Sequence, residues 1–339
     1  MSLNICIFGV SGYTGSKLLE LLCRHSKVNV SGVFGDQSIG SKLKDIFPKL
    51  DKVPDIKISN YLDFDFSNVD LVFSCLPHGE FQKKVIKRLD PKLSIIDLSG
   101  DFRLNNYNDY ELFYETKHKS EDLQKKFVYG LSEFYRNEIS KSKFIANPGC
   151  YPTSVLIPLL PLIDKELIEN GSHIIIDSKS GVSGAGKKPK IENLFSELND
   201  NFYSYGILSH RHYPEIDQEF KKINKSISFS FIPHLLPVFS GLQSTIYIDK
   251  GGSQCDDFIN TLKNFYKNSK FIKFFENDKI PKLNDIKNTN NVALKIFNDY
   301  SKNKIVIISC IDNLVKGAAG QAIQNMNLMN GFDEQESLI

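Results

Sequence analysis

The chain has 339 residues, enough for two domains with cores of their own. Apolar residues make up 41% and charged residues 24%, the proportions of an ordinary globular protein. A formal net charge of +2 removes charge as a reason to invoke nucleic acid or a membrane surface.

Asn4 to Phe8 is a short apolar run that predicts a strand. No charged segment followed by a long apolar one precedes it, and no apolar run reaches membrane-spanning length, so neither a signal peptide nor a membrane span is expected. The sequons at Asn170 and Asn224 are then chance matches. Gly9-Val10-Ser11-Gly12-Tyr13-Thr14-Gly15 follows the strand and precedes leucines at helical spacing. Strand, Gly-rich turn and helix form the context of a dinucleotide fingerprint, here spaced G-x-x-G-x-x-G, whose N–H groups approach a pyrophosphate at a helix N-terminus. Val28 to Phe34 predicts a second strand. Beyond it, Asp36 suits a ribose hydroxyl and NAD, whereas Ser38 with Lys42 suits a 2′-phosphate and NADP.

Ile56 to Ile58 is a further strand candidate in a polar, irregular stretch. Val69–Cys75 and Leu93–Leu98 read as buried parallel strands, with an amphipathic helix from Phe81 to Leu89 between them. The loops after them, Leu76-Pro77-His78-Gly79 and Ser99-Gly100-Asp101-Phe102-Arg103, lie where doubly wound sheets bind ligands. Pro77 is assigned to the cofactor, and His78 is read as structural or cofactor-lining. The chain has only five arginines against many lysines, so each can mark a planar donor site. Arg103 either pairs locally with Asp101 or grips a carboxylate or phosphate. Residues 105–126 read as a polar helix-and-loop excursion on the surface, and Lys143–Ala146 as the last strand of this half.

Asn147-Pro148-Gly149-Cys150-Tyr151-Pro152-Thr153 then delivers a cysteine to the start of an apolar run, Val155–Ile163. Pro148 fixes its own φ, and Gly149 is expected to supply a conformation that other residues adopt only at a cost. In the first turn of a helix, the unpaired N–H groups and the macrodipole favour a Cys150 thiolate, hence a nucleophile; the alternative is a small buried apolar residue. The six cysteines include no C-x-x-C pair and read as reduced thiols of a cytosolic protein, with neither disulfides nor zinc.

Ser172–Ser178 predicts a strand that runs into Lys179-Ser180-Gly181-Val182-Ser183-Gly184-Ala185-Gly186-Lys187-Lys188. A P-loop is excluded, because Lys188 replaces the Mg²⁺-binding hydroxyl and Pro189 follows. The loop can still bind an anionic substrate, with Ser183 and Lys187 as candidates. His210-Arg211-His212-Tyr213-Pro214-Glu215-Ile216 holds the densest ionisable cluster. It lacks a third ligand for a metal, so a Cys–His pairing is the better reading. In an extended segment the two histidines point oppositely, so one of them serves Cys150, with Glu215 orienting or charging it and Arg211 available to substrate. Ser226–Ile232, Gln243–Asp249, Val292–Phe297 and Lys304–Cys310 read as further strands, with Phe231–Pro237 joining the first two. Asp312–Gln321 leads into a helix from Ala322 to Met329 that is expected to return to the first half, and residues 330–339 read as a polar tail.

The expectation is therefore an α/β chain. A Rossmann-type dinucleotide-binding domain covers residues 1–149 and is joined by the helix in 312–330; an α+β catalytic and oligomerisation domain with a mainly antiparallel sheet covers 150–311.

These motifs resemble those of the N-acetyl-γ-glutamyl-phosphate reductases, in the aspartate-semialdehyde dehydrogenase superfamily. The matching stretches are Gly9–Gly15, Asp97–Leu104, Asn147–Thr153, Gly181–Lys187, His210–Ile216, Pro233–Pro237 and Asp312–Gln321. One departure is Ser240-Gly241, where the family usually has Arg-Gly. The resemblance implies NADPH-dependent reduction of an acyl phosphate through a Cys150 thioester, in arginine biosynthesis. It implies His212, backed by Glu215, as the base, Asn313 near the nicotinamide amide, and a homodimer or homotetramer. Arg103 and Lys187 are the anion-binding candidates. The rivals are a related reductase of aspartyl or aminoadipyl phosphate and a nucleotide-sensing protein with a dead site.

Overall fold

A computed structural model of the chain describes residues 2–35, 38–299 and 303–338. They form two units, Met1–Pro148 with Ala318–Ile339, and Gly149–Gly317.

The first unit holds a six-stranded sheet of β1 (Leu3–Phe8), β2 (Val28–Phe34), β3 (Leu71–Ser74), β4 (Ser94–Asp97), β5 (Val128–Tyr129) and β6 (Phe144–Ala146). The order is β2-β1-β3-β4-β6-β5 and every pairing is parallel. All four residues of β3 are buried, as in a sheet covered on both faces. Strand order reverses at β1, so the crevice beyond β1 and β3 is the topological switch point. The C-terminal helix Gly320–Met329 belongs to this unit and packs on the helices Tyr13–Leu22 and Arg136–Ile139.

Four local expectations need correction in this unit. Phe81–Leu89 is not one α-helix: a π-turn over Phe81–Val85 gives way to a 3₁₀ turn over Ile86–Arg88. The Ile86 N–H bonds to Phe81 O, five residues back, and Phe81, Gln82, Val85 and Ile86 are all buried. The excursion 105–126 is not confined to the surface, since Tyr110, Tyr114, His118 and Gln124 are buried. The polar tail is docked: Ser337 Oγ donates to Leu21 O at 2.6 Å, Glu336 accepts from Ser26, and Glu334 pairs with Arg136. The strand candidate at 56–58 is reduced to bridges at Lys57 and Ser59.

The second unit carries β7 (His173–Gly181), β8 (Tyr203–Ser204), β9 (Ser228–Leu236), β10 (Leu242–Asp249), β11 (Ile272–Phe274), β12 (Val292–Asp299) and β13 (Lys304–Ile311). Its order is β11-β12-β13-β10-β7-β9-β8. The sheet is mixed, which corrects the expectation of a mainly antiparallel one: β7–β9 and β11–β12 are parallel pairs. Side-chain alternation has the same period in either direction, so the pattern could not report strand polarity. β9 also continues through Leu236, which makes most of the supposed connector a strand. The helices Cys150–Asp164 and Cys255–Phe265 pack on one face of the sheet.

Candidate active site

The helix Cys150–Asp164 is apolar all round, and every side chain from Tyr151 to Ile163 is buried. Cys150 is its first residue and Gly149 its N-cap. Pro152 falls within the first turn, where its missing N–H is no loss. Pro161 cannot bond the carbonyl of Ile157, and the Tyr266 hydroxyl donates to that oxygen at 2.6 Å instead. The helix N-terminus, the positive end of its dipole, lies at the cysteine.

Gly149 has φ −69° and ψ 158°, ordinary extended backbone, so the expected conformational need is absent. What requires glycine is proximity. A Cβ there would lie 2.7 Å from Cδ2 and 2.8 Å from Cε1 of His212, and nearer still to Nε2. On its other side Cys150 meets Gly317, where a Cβ would lie 2.7 Å from that of Cys150. The Gly149 N–H donates to Glu215 Oε1 at 2.8 Å, and Glu215 is fully buried. A carboxylate therefore fixes the turn that presents the thiol.

The two histidines do not sit on an extended strand. His212 has helical backbone (φ −83°, ψ −10°) and is the N-cap of the helix Tyr213–Ile223, which places Glu215 in its first turn. The rings of His210 and His212 are 4.8 Å apart by centroid. His210 Nδ1 accepts the His212 backbone N–H at 3.1 Å. Burial pushes His210 down to about 3, and the Arg211 charge adds to the effect. His210 packs edge-on against Tyr151, Tyr205 and Phe231. Tyr151 Oη lies 3.2 Å from Tyr205 Oη and donates to His234 O at 3.1 Å. Burial pushes the Tyr205 hydroxyl up to about 12; its hydrogen bond to Tyr151 and the Arg211 charge oppose this, and the charge of Cys150 adds to it. Tyr205 is therefore within electrostatic reach of the thiol. The sequence offered no spacing signal for it.

In the first unit the three fingerprint glycines have distinct tasks. Gly9 has φ +78°, and a Cβ there would lie 2.6 Å from Cys75 O. Gly12, the N-cap of the helix Tyr13–Leu22, would meet only Gly9 O, at 3.5 Å, which leaves room for a phosphate. Gly15 would strike Val10 Cα at 2.8 Å and so allows helix and strand to pack closely. Ser11, Tyr13 and Thr14 are partly exposed around this turn. A cavity of about 330 Å³ opens at the switch point, lined among others by Gly35, Ile39, Leu76, Pro77 and His78. These residues fit a dinucleotide: a turn at a helix N-terminus, with space beside Gly12, and an adjoining cavity for its base. Ser38 is half-buried in the turn after β2, whereas Asp36 lies outside the described residues.

Arg103 is buried, and its Nε donates to Asn147 O at 2.7 Å while Nη2 donates to Leu98 O at 3.1 Å. Asn147 is further held by Ala318 O and by the Asn325 side chain. The guanidinium thus secures the turn that leads into Cys150.

The semialdehyde dehydrogenase NAD-binding domain matches residues 4–142, and the semialdehyde dehydrogenase dimerisation domain matches 150–313. A probable chloroplastic N-acetyl-γ-glutamyl-phosphate reductase of Arabidopsis thaliana is 43% identical over 99% of this chain and 84% of its own. The N-acetyl-γ-glutamyl-phosphate reductase of Campylobacter jejuni subsp. doylei is 40% identical over 100% of this chain and 98% of its own. The chain belongs to the N-acetyl-γ-glutamyl-phosphate reductase family of semialdehyde dehydrogenases. The fold extends further: aspartate semialdehyde dehydrogenase II of Vibrio cholerae, solved with ASA, superposes with TM-score 0.76 at 19% identity over 98% of this chain and 99% of its own. The aspartate semialdehyde dehydrogenase of Candida albicans, solved with NADP, gives 0.69 at 16% identity over 97% and 99%.

Within this reductase family member, Ser183 is buried and accepts from Asn313 Nδ2 at 2.9 Å, while Asn313 Oδ1 accepts the Gly241 N–H at 2.8 Å. Asn313 thus ties the 181–183 loop to the turn containing Ser240, itself buried. Lys187 and Arg211 are exposed. Among the described residues no helix is long and apolar enough to cross a membrane, and no cluster of His, Cys, Asp and Glu could hold a metal.

Proposed function

We propose that this chain catalyses the NADPH-dependent reductive dephosphorylation of N-acetyl-γ-glutamyl phosphate to N-acetyl-glutamate semialdehyde, a step of arginine biosynthesis. The observation that carries the reading is Cys150 at the head of a buried helix, with His212 packed on Gly149 and Glu215 holding the Gly149 N–H. The full-length identity to reductases of that name supports the choice of substrate.

His212 takes the thiol proton, because His210 stays neutral and its Nδ1 is occupied by backbone. The Cys150 thiolate attacks the acyl carbon, the carbon–oxygen bond to phosphate breaks, and phosphate leaves with the electron pair. N–H groups of the first helical turn stabilise the oxyanion. Bound NADPH supplies the hydride. When the resulting thiohemiacetal collapses, His212 holds the proton in transit and Cys150 leaves as thiolate. Glu215 fixes the turn through the Gly149 N–H. Ser183, Lys187 and Arg211 are assigned to the anionic groups of the substrate, with Arg103 holding the turn. Gly9, Ser11, Gly12, Tyr13, Thr14 and Gly15 would take the pyrophosphate, Ser38 the ribose phosphate and Pro77 the base; Asn313 acts by fixing Ser183.

The first unit thus serves the cofactor and the second serves catalysis and self-association. The second unit's sheet has one face with Ile175, Tyr247, Val306 and Phe297 in a cross-strand row, all at least partly exposed, and a second copy would cover it. Six thiols and no disulfide suit the cytosol. Cys150→Ser should abolish phosphate-dependent NADP reduction by the semialdehyde. Unchanged turnover would sink the covalent mechanism, and a wild type preferring aspartate or aminoadipate semialdehyde would sink the substrate assignment.

A further inference from the structure

We propose that Asp101 is a positioning residue for the nucleotide cavity, and that the loop 98–103 fixes the cofactor wall and the nucleophile's turn through two separate contacts. The inference rests on the cofactor reading above. Asp101 touches neither cofactor nor substrate in it.

Asp101 is fully buried, and its carboxylate accepts three hydrogen bonds. Oδ1 takes the Gly79 N–H at 2.5 Å and the Tyr110 hydroxyl at 2.8 Å; Oδ2 takes the Gln82 N–H at 3.1 Å. Those two N–H groups belong to the bend that follows Pro77 and His78, both of which line the cavity. Gly79 has φ +84°, so the bend has a backbone conformation that needs holding. The surroundings serve the carboxylate. Gln82 Nε2 donates to the Tyr110 hydroxyl at 2.8 Å, and the His118 ring bonds to Asp101 O at 2.8 Å. Two residues along the same loop, Arg103 holds Asn147 O, three residues before Cys150. Phe102 lies between them and stacks on Phe127 with centroids 4.0 Å apart. One loop anchored by an aromatic stack therefore grips the cavity wall with an anion and the catalytic turn with a cation.

Asparagine at 101 keeps the shape but turns an NH₂ toward one of two backbone N–H donors, so the Pro77–His78 wall loses one of its ties. The test uses the full-length protein and the fluorescence of NADPH itself, which is read cleanly because the chain has no tryptophan. Asp101→Asn should raise the Kd for NADPH about tenfold or more. It should leave the alkylation rate of Cys150 by iodoacetamide in the cofactor-free protein, followed on the Cys150 peptide, close to that of wild type. Arg103→Lys should do the reverse, changing the alkylation rate about fivefold or more with little effect on NADPH. Tyr110→Phe, which removes one donor and no charge, should weaken NADPH binding in the same direction as Asp101→Asn and carries the test if that variant does not fold. Wild-type NADPH affinity in folded Asp101→Asn overturns the proposal, as do equal shifts of both readouts in either loop variant. A wild type that binds no NADPH overturns the cofactor reading itself, and with it this inference.

Discussion

Replacing Gly149 by alanine tests the closest contact of the site. Its backbone dihedrals suit any residue, so alanine there brings no conformational strain. The whole effect comes from one methyl group placed 2.7 Å from Cδ2 and 2.8 Å from Cε1 of His212. Ordinary carbon contacts begin at about 3.5 Å, so the imidazole must recede by roughly 1 Å or the turn must open by as much. Overpacking of this kind costs about 1–3 kcal/mol of stability. A displacement of about 1 Å between base and nucleophile costs on the order of 100-fold in rate. Gly149→Ala should therefore retain the fold, with a modest fall in Tm, and lose about two decades of kcat/KM, mostly in kcat. Steady-state kinetics beside thermal melts separate the two. The double variant Gly149→Ala with His212→Ala should recover the lost stability, because the clashing ring is gone, while remaining inactive. Full activity in Gly149→Ala, or a double variant no more stable than the single one, would refute the idea that this approach sets the base against the cysteine.

Other outcomes follow from the same geometry. Glu215→Ala leaves the buried Gly149 N–H without its acceptor, which should cost about 1–3 kcal/mol in urea unfolding and lower kcat, whereas Glu215→Gln should keep most of the stability. His210, held near 3 by burial against an ordinary 6.5, stabilises the fold fully above pH 6.5 and progressively less as pH falls toward 3. The decline should approach about 1.4 kcal/mol per pH unit and should be absent in His210→Asn, whose acid limb of kcat should stay where it is in wild type. Tyr266→Phe should cost about 1–3 kcal/mol by stranding the Ile157 carbonyl, and less in a Pro161→Ala background, where a restored N–H can reach that oxygen; equal costs in both would count against the hydroxyl's role.

The elements carrying the chemistry were legible because their residues act locally. The Gly9–Gly15 turn shows its strand, glycines and helix within one stretch, and Cys150 lies next to the apolar run that becomes its helix. Contacts between distant residues were not legible. Nothing in the spacing of His210 and His212 says that the second caps a helix, so the expectation that they point oppositely came from assuming an extended backbone. Arg103 stands out by its rarity, yet two of its partners are the carbonyls of Asn147 and Leu98, and carbonyls have no sequence signature. The mixed sheet failed for a related reason. β7 and β9 pair in parallel across a connection that includes the helix Tyr213–Ile223, and strand polarity depends on that crossover rather than on the strands.

Glycine shows the difference most sharply. Gly149 and Gly317 stand out in the sequence, one in a proline turn and one in a run of small residues, and both invite a conformational explanation. Neither appears among the glycines with positive φ. Each instead removes a side chain where another group must come close, His212 in one case and Cys150 in the other. The thiol is thus confined by absences on two sides, while Glu215 holds the backbone between them. A nucleophile placed this way has little freedom left to lose when substrate arrives, which is where preorganisation lowers a barrier. The same confinement explains why the site tolerates so little: a single methyl at either glycine disturbs the cysteine or its base without touching a polar atom of the mechanism.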